Sequence, residues 1–460
     1  MITYSIIKKS ELEGTKRLDA EYYQLEYFAF LKQISKFNKN LLSDIAIIRS
    51  GTTPKNRDDD LKNGVILLKT TDIRNNTLDL KDDYYFVSKE INERMNSTKL
   101  LPRDILINIV GATLDVIGRS AYVPINFPVA NITQAMALIR LRDKNFLPEY
   151  IFTFLLSKYG RFQANRLARP TGQYNLNLEE LRSFQIPKLE EKDQTIIKDF
   201  VENSIKEKQF SEILYSQAEK LLLEELGLKN FEKEVERNLY SVVNFSEIKK
   251  VNRIDAEYFQ PKYEKLFSKL RKNNPRSLGE LVTMKKGIEP GSEAYQEEGK
   301  LFIRVSSLSK NGITDKDEKY LSNKLYENLK ENFQPKQGEI LLTKDATPGV
   351  AYVLKEGIEG IVSGGILRLK LKEKIDPEYL ALCINSVAGQ FQVERDAGGS
   401  VIAHWKSDQV KQMLIPILPE KIQQEISNLV RQSHEARKKS KELLEEAKRK
   451  VEELIESKSK

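Results

Sequence analysis

A duplicated α/β (mixed α+β) fold, with two globular domains separated by two long helices that form an antiparallel coiled coil, is what this sequence of 460 residues predicts. Three observations predict it: a domain-length internal repeat, short apolar runs bounded by turn residues within each repeat, and two glycine-free stretches with coiled-coil spacing. The repeat comes first. Tyr4-Ser5 and Arg17-Leu18-Asp19-Ala20-Glu21-Tyr22-Tyr23 recur as Tyr240-Ser241 and Arg253-Ile254-Asp255-Ala256-Glu257-Tyr258-Phe259, 236 residues later. A unit of that size buries its own core, unlike the short units of a solenoid.

Within each repeat the elements follow in parallel. Leu42-Ser43-Asp44-Ile45 leads to Gly51-Thr52-Thr53-Pro54, and Leu278-Gly279-Glu280-Leu281 leads to Gly287-Ile288-Glu289-Pro290. The runs Gly64 to Leu68 and Gly299 to Ile303, then Ile105 to Ile107 and Ile340 to Leu342, read as strands. Pro148-Glu149-Tyr150 and Pro377-Glu378-Tyr379 open matching helices, and Ile186-Pro187 and Ile415-Pro416 close the two globular parts.

Beyond each proline pair the glycines vanish, from Leu189 to Leu226 and from Leu418 onward. Ile422, Ile426, Leu429, Ser433, Ala436, Ser440, Leu443 and Ala447 alternate steps of four and three, and Val451 and Leu454 continue after one slip. In the central stretch Ile197, Phe200 or Val201, Ser204, Ser211, Leu214 or Tyr215, Ala218 and Leu222 occupy equivalent places. Small residues recur in both stripes, Ser204 with Ser433, Ser211 with Ser440 and Ala218 with Ala447, so the helices are expected to pair closely. A helix of about 37 residues spans roughly 55 Å, and such a pair would act as a ruler between the domains. The expected domains are residues 1–188 and 230–417, with spacer helices at 189–229 and 418–460.

Composition restricts function. Apolar residues make up 40% of the chain, enough for real cores, and the net charge of +8 is a small excess on 31% charged residues. Cys383 is the only cysteine, which excludes disulfides and Cys-based zinc sites and fits the reducing cytoplasm, where it is expected to be buried. No apolar run suits a membrane span, so no membrane association is expected. The only histidines are His404 and His434, the latter expected on the solvated face of the last helix. No phosphate loop, dinucleotide fingerprint or metal cluster is visible, and the pair Glu190-Glu191 is more simply a helix start than a nuclease site. No catalytic residue, metal or cofactor is expected.

The duplicated opening motif, the Gly51 to Pro54 turn, the segment Asn131-Ile132-Thr133-Gln134 and the Ile-Pro pair before each helix together resemble the DNA specificity subunit of type I restriction-modification systems. The resemblance covers essentially the whole chain. It implies that each globular half is a target recognition domain reading one part of a bipartite site in double-stranded DNA. It also implies that the paired helices dock DNA methyltransferase (modification) subunits and that a motor-nuclease (restriction) subunit joins the complex. In the second half the turn becomes Gly287-Ile288-Glu289-Pro290 and the other segment becomes approximately Val362-Ser363-Gly364-Gly365, which implies two different half-sites.

Reading DNA takes cations for phosphates and polar side chains for base edges. In the first half the candidates are Lys55, Arg57, Lys69, Thr70, Thr71, Arg74, Asn75, Asn131, Thr133, Gln134, Arg166, Arg169, Gln173, Tyr174 and Asn175. In the second they are Lys285, Lys286, Arg304, Ser306, Ser307, Lys344, Thr347, Arg395, Ser400, His404, Trp405 and Lys406, where His404 and Trp405 stand in for a polar pair. The repeated Asp-Ala-Glu-Tyr motif cannot encode two different half-sites and is expected to anchor each domain to the helical spacer. A rival reading of the same features is a noncatalytic adaptor whose coiled coil joins two protein-binding domains. Inserting one heptad into both helices is predicted to change the separation of the two half-sites in the modified DNA while leaving each half-site sequence intact; an unchanged separation would show that the helices do not set it.

Overall fold

The computed structural model describes residues 6–9, 17–38, 40–55, 58, 60–78, 84–231, 240–314, 318–398 and 403–457. The chain divides into two compact units, Met1–Lys208 with Lys438–Lys460, and Gln209–Arg437. The long helices run from Glu191 to Glu225 and from Glu420 to Ser457. The division by compactness therefore passes through both helices rather than before them, because each globular body packs on the start of one helix and the end of the other.

In the first unit a four-stranded antiparallel sheet takes the order Ala46–Ser50, Met136–Leu141, Ile105–Asn108, Ser120–Tyr122. Beside it lies a three-stranded sheet in which Val65–Leu68 pairs in parallel with Ala130–Ile132 and antiparallel with Phe86–Val87. Val65–Leu68 and Ile105–Asn108 are buried at every residue, which is why Val65 to Leu68 and Ile105 to Ile107 read as continuous apolar runs rather than alternating ones. Pro148–Leu156 and Lys158–Leu167 are helices, with proline opening the former where its missing N–H costs nothing. The main core joins them to the larger sheet and to Ile197, Val201, Leu444, Ala447, Val451 and Ile455 of the long helices.

The second unit repeats this plan. Val282–Lys286, Ile366–Leu371, Ile340–Thr343 and Ala351–Val353 form the four-stranded sheet, and Lys300–Ile303 pairs in parallel with Gly360–Val362. The parallel registers, Ile132 opposite Leu68 and Val362 opposite Ile303, correct the sequence alignment by one residue. Asn131-Ile132-Thr133-Gln134 corresponds to Ile361-Val362-Ser363-Gly364, so an apolar side chain replaces Asn131. Cys383 is buried in this unit's core.

Small residues let the long helices approach. In the first unit the Ser204 hydroxyl donates to the Ser440 carbonyl at 2.7 Å, and Lys439 pairs with Glu207, so the segments run antiparallel. In the second unit Ser433 donates to the Ser211 carbonyl at 2.7 Å. The Ser204 and Ser433 hydroxyls are thereby satisfied at a helical carbonyl, which has a second lone pair to offer, and each lies 3.1 Å from the facing serine hydroxyl.

The repeated opening motif is a clamp. Arg17 is buried, donates to Asp19 at 2.8 Å and to the Leu167 carbonyl at 2.7 Å, and Arg166 stacks 3.9 Å from the Tyr22 ring centre. Arg253, Asp255 and Tyr258 repeat the arrangement with the Arg395 carbonyl, and Arg395 lies over both the Tyr258 and Phe267 rings. A desolvated cation–ring contact contributes about 2 kcal/mol. The motif thus fastens to the end of a helix of its own globular body, Lys158–Leu167 or Val387–Asp396, rather than to the spacer as the sequence suggested.

His434 is not solvated. Its side chain is 10% exposed, between the Tyr215 and Tyr352 rings and 3.8 Å from the Glu378 carboxylate. Burial, together with the Lys355 and Arg437 cations, holds the imidazole down at about 3. Such a group binds fewer protons folded than unfolded, so its contribution is complete above the ordinary value of 6.5 and is lost as pH falls toward 3. His434→Gln is predicted to lose unfolding free energy less steeply than the parent between about pH 6 and pH 4, read by urea titration; equal slopes would contradict this.

Candidate nucleic-acid interface

The site begins with a close crossing of two strands. Gly51 donates to the Met136 carbonyl and Thr52 to the Ile132 carbonyl, each at 3.1 Å. A Cβ on Gly51 would sit 2.0 Å from the Ile132 oxygen, so only glycine fits. The chain leaving this crossing carries Thr52, Thr53 and Lys55, and the Gln134 N–H reaches the Thr53 hydroxyl at 3.4 Å.

Further segments are strapped to the same place. Thr133 N–H donates to the Leu68 carbonyl at 3.0 Å, just before the turn Thr70–Asp72, which the Asp72 carboxylate caps through Lys69 N–H at 2.7 Å. A two-residue turn follows, with Asn75 and Asn76 at φ 48° and 56° between Ile73–Arg74 and Thr77–Leu78, the left-handed pair that closes a tight hairpin. Ile109 and Val110 both donate to the Ala135 carbonyl, and Val110–Gly111 pairs with Gln173–Asn175. That strand is half of a hairpin with Arg169–Thr171, turning at Gly172 with φ +81°. Residues far apart in sequence therefore share one junction.

The second unit builds the same junction. Gly287 donates to the Ile366 carbonyl and Ile288 to the Val362 carbonyl, each at 3.0 Å, and a Cβ on Gly287 would meet the Ser363 oxygen at 2.2 Å. Ser363 N–H donates to the Ile303 carbonyl before the turn Val305–Ser307, and Lys344 N–H donates to the Gly365 carbonyl. Asp345–Ala346 pairs with Ala403–His404. The Asp345 carboxylate accepts from Lys344 at 2.5 Å and contacts His404 Nδ1 at 2.8 Å. Burial raises its pKa, but those two partners outweigh burial and the net direction is down, so it stays ionised.

Among the nominated residues of the first unit, Lys55, Lys69, Thr71, Gln134, Arg169, Gln173 and Asn175 are exposed at the junction, and Thr70, Arg74, Asn75 and Tyr174 are half-buried. Lys69 stands 4.1 Å from the Tyr85 ring centre, Arg74 donates to the Thr71 carbonyl, and Arg169 is paired with Glu180 at 2.7 Å. In the second unit Lys285, Lys286, Thr347, His404 and Lys406 are exposed, with Arg304, Ser306 and Lys344 half-buried. Arg57 and Ser400 lie outside the described residues.

Six nominations are corrected. Asn131 is wholly buried and its amide is used within the fold, bonding Thr98, Asn92 and the Met95 carbonyl. Thr133 is buried at the strap to Leu68, and Ser307 is buried with its hydroxyl on the Arg304 backbone. Arg166 and Arg395 hold the repeated clamp. Trp405 is core, its side chain wholly buried, and its backbone N–H donates to the Lys344 carbonyl just as the Leu176 backbone N–H donates to that of Ile109. It is the counterpart of Leu176, not of a polar loop residue. Thr52, Thr53 and Asp345 also belong to the junctions, and only the Gly51 to Pro54 turn signals the first two in sequence.

The surviving residues offer donors and acceptors but no reactive cluster. Among the described residues no group of three or more His, Cys, Asp or Glu could hold a metal ion, and no helix is long and apolar enough to cross a membrane. Residues 34–215 and 271–448 match the family model of the type I restriction modification DNA specificity domain. The chain is 31% identical over 129 residues to the type I restriction enzyme EcoBI specificity subunit of Escherichia coli, covering 28% of this chain and 26% of that protein. It thus spans about a quarter of that relative's length. Among solved structures, the S subunit of a type I restriction-modification system from M. genitalium is 14% identical, with 91% of this chain and 95% of that one covered at a TM-score of 0.38. The HsdS subunit from Thermoanaerobacter tengcongensis is also 14% identical, with 91% and 96% covered at a TM-score of 0.28.

Proposed function

This chain belongs to the type I restriction modification DNA specificity family, and we propose that it is the noncatalytic subunit that reads double-stranded DNA, each unit recognising one part of a bipartite site. In this reading the long helices dock DNA methyltransferase subunits, a motor-nuclease subunit joins for restriction, and the complex works in the cytoplasm. The observation that carries it is one junction built twice with different side chains on its surface. Both copies have the glycine crossing, the strap to the parallel strand and the paired loop strand. The first presents Lys55, Thr71, Gln134, Gln173 and Asn175; the second presents Lys344, Asp345, Thr347, His404 and Lys406.

The chemistry follows from those residue types. Gln173, Asn175 and Gln134 carry amides of the kind that pair with adenine in the major groove, and Lys55, Lys69 and Lys406 supply phosphate contacts that position without specifying. Asp345 suits the exocyclic amine of cytosine, a preference its counterpart in the first unit, Val110, cannot express. Different half-sites are the expected consequence. Mounting these groups on strands and tight turns keeps them in place before DNA arrives, so less ordering is needed on binding.

Gln173→Ala or Asn175→Ala is predicted to cost about 1–3 kcal/mol of discrimination at one base of the first half-site and nothing in the second. Competition binding with duplexes altered one base at a time measures it, using the chain in its modification complex. Equal weakening toward every duplex would reduce these residues to phosphate contacts, and binding that ignores salt and DNA sequence would favour the protein-binding adaptor.

A further inference from the structure

We propose that Asn108 in the first unit and Thr343 in the second are positioning residues that decide which loop of each junction is braced, and hence how sharply that loop discriminates between bases. This rests on the DNA-reading assignment above. The two residues are counterparts, each at the end of a central strand: Asn108 lies opposite Met136 and Thr343 opposite Ile366. Both are wholly buried, and neither touches solvent from which DNA would approach.

They brace different segments. Asn108 Nδ2 donates to the Thr70 carbonyl at 3.1 Å, fastening the turn that bears Lys69, Thr70 and Thr71 to the sheet beneath it. Asp72 already caps that turn from within, so it is held twice. Thr343 instead turns its hydroxyl on the loop that follows it, donating to the Thr347 carbonyl at 2.6 Å and accepting from Val350 N–H at 2.9 Å. That loop bears Lys344, Asp345 and Thr347, and it holds Ala346 at φ 60°, a left-handed conformation unusual for a residue with a side chain. The turn Val305–Ser307 of the second unit has its own serine cap: Arg304 N–H donates to the Ser307 hydroxyl, which donates to the Arg304 carbonyl.

Asn108 also carries a cost that packing alone does not explain. Its Oδ1 is buried with no hydrogen-bond partner, whereas the threonine used at the same place in the second unit satisfies its hydroxyl fully. The long amide is what reaches the Thr70 carbonyl from this position. A loop fixed before binding loses less freedom when it meets the groove and tolerates a wrong base less readily. The turn at residues 69–75 then adds to the discrimination by Gln134, Gln173 and Asn175 in the first half-site, and the loop at residues 344–347 sharpens reading of the second.

The test is methylation mapping in cells carrying the full chain with its modification partner, scoring sites that depart from the motif by one base. Asn108→Thr, which installs the second unit's residue, is expected to lower discrimination about tenfold at one or two bases of the first half-site only. Thr343→Val should do the same in the second half-site only, while Thr343→Ser, which keeps the hydroxyl, retains the parent pattern. Asn108→Leu keeps a side chain of similar length but cannot donate to Thr70, so it should reproduce Asn108→Thr, and thermal melting shows that each variant is folded. Unchanged discrimination in folded variants, or an equal fall at cognate and altered sites in both halves, would overturn the bracing role. A parent chain that yields no two-part motif would instead overturn the DNA-reading assignment itself.

Discussion

Everything at the two junctions depends on a pair of strand crossings so close that a β-carbon cannot be accommodated. At Gly51 and Gly287 the backbone runs against the carbonyls of Ile132 and of Val362 and Ser363. Because hydrogen bonds on both sides fix the crossing, the loop that leaves it, the end of the parallel strand and the following turn arrive together. Moving any one of them would strand buried N–H and C=O groups, which is costly in a dry interior. The surface residues are then free to differ, as they do between Gln134 and Gly364, or Asn175 and His404, without disturbing the frame.

The same separation of frame from surface appears at the opening motif. Arginine, aspartate and tyrosine recur in both copies because each is used within the fold, the arginine on a carboxylate, a helix-end carbonyl and a ring at once. The long helices show a further version: serines at matching positions meet in pairs, Ser204 with Ser440 and Ser211 with Ser433. Bulky residues there would part the helices, and alanines would leave the serine-to-carbonyl bonds unmade.

Much of this was legible from residue order. The repeat, the strands that read as apolar runs, the proline-opened helices and the coiled-coil stripe all rest on local pattern, and local pattern survives tertiary packing in these elements. Individual site residues were harder to assign because the same donor serves two ends. An amide that would suit adenine serves equally to satisfy three buried groups, as Asn131 does, and a guanidinium suited to phosphate serves to cover a tyrosine ring, as Arg166 and Arg395 do. The one-residue error in aligning Asn131 to Gln134 with the second half had a physical source as well. Ile361 fills the place of Asn131, so the polar landmark that would have set the register is absent from the second copy.

The most direct measurement is the motif modified in cells by the complex carrying Gly51→Ala, compared with that carrying Gly287→Ala. If each junction is assembled by its own crossing, Gly51→Ala removes recognition of the first block and leaves the second intact, and Gly287→Ala does the converse. Loss of both blocks from either substitution, or retention of both in folded protein, would contradict the account.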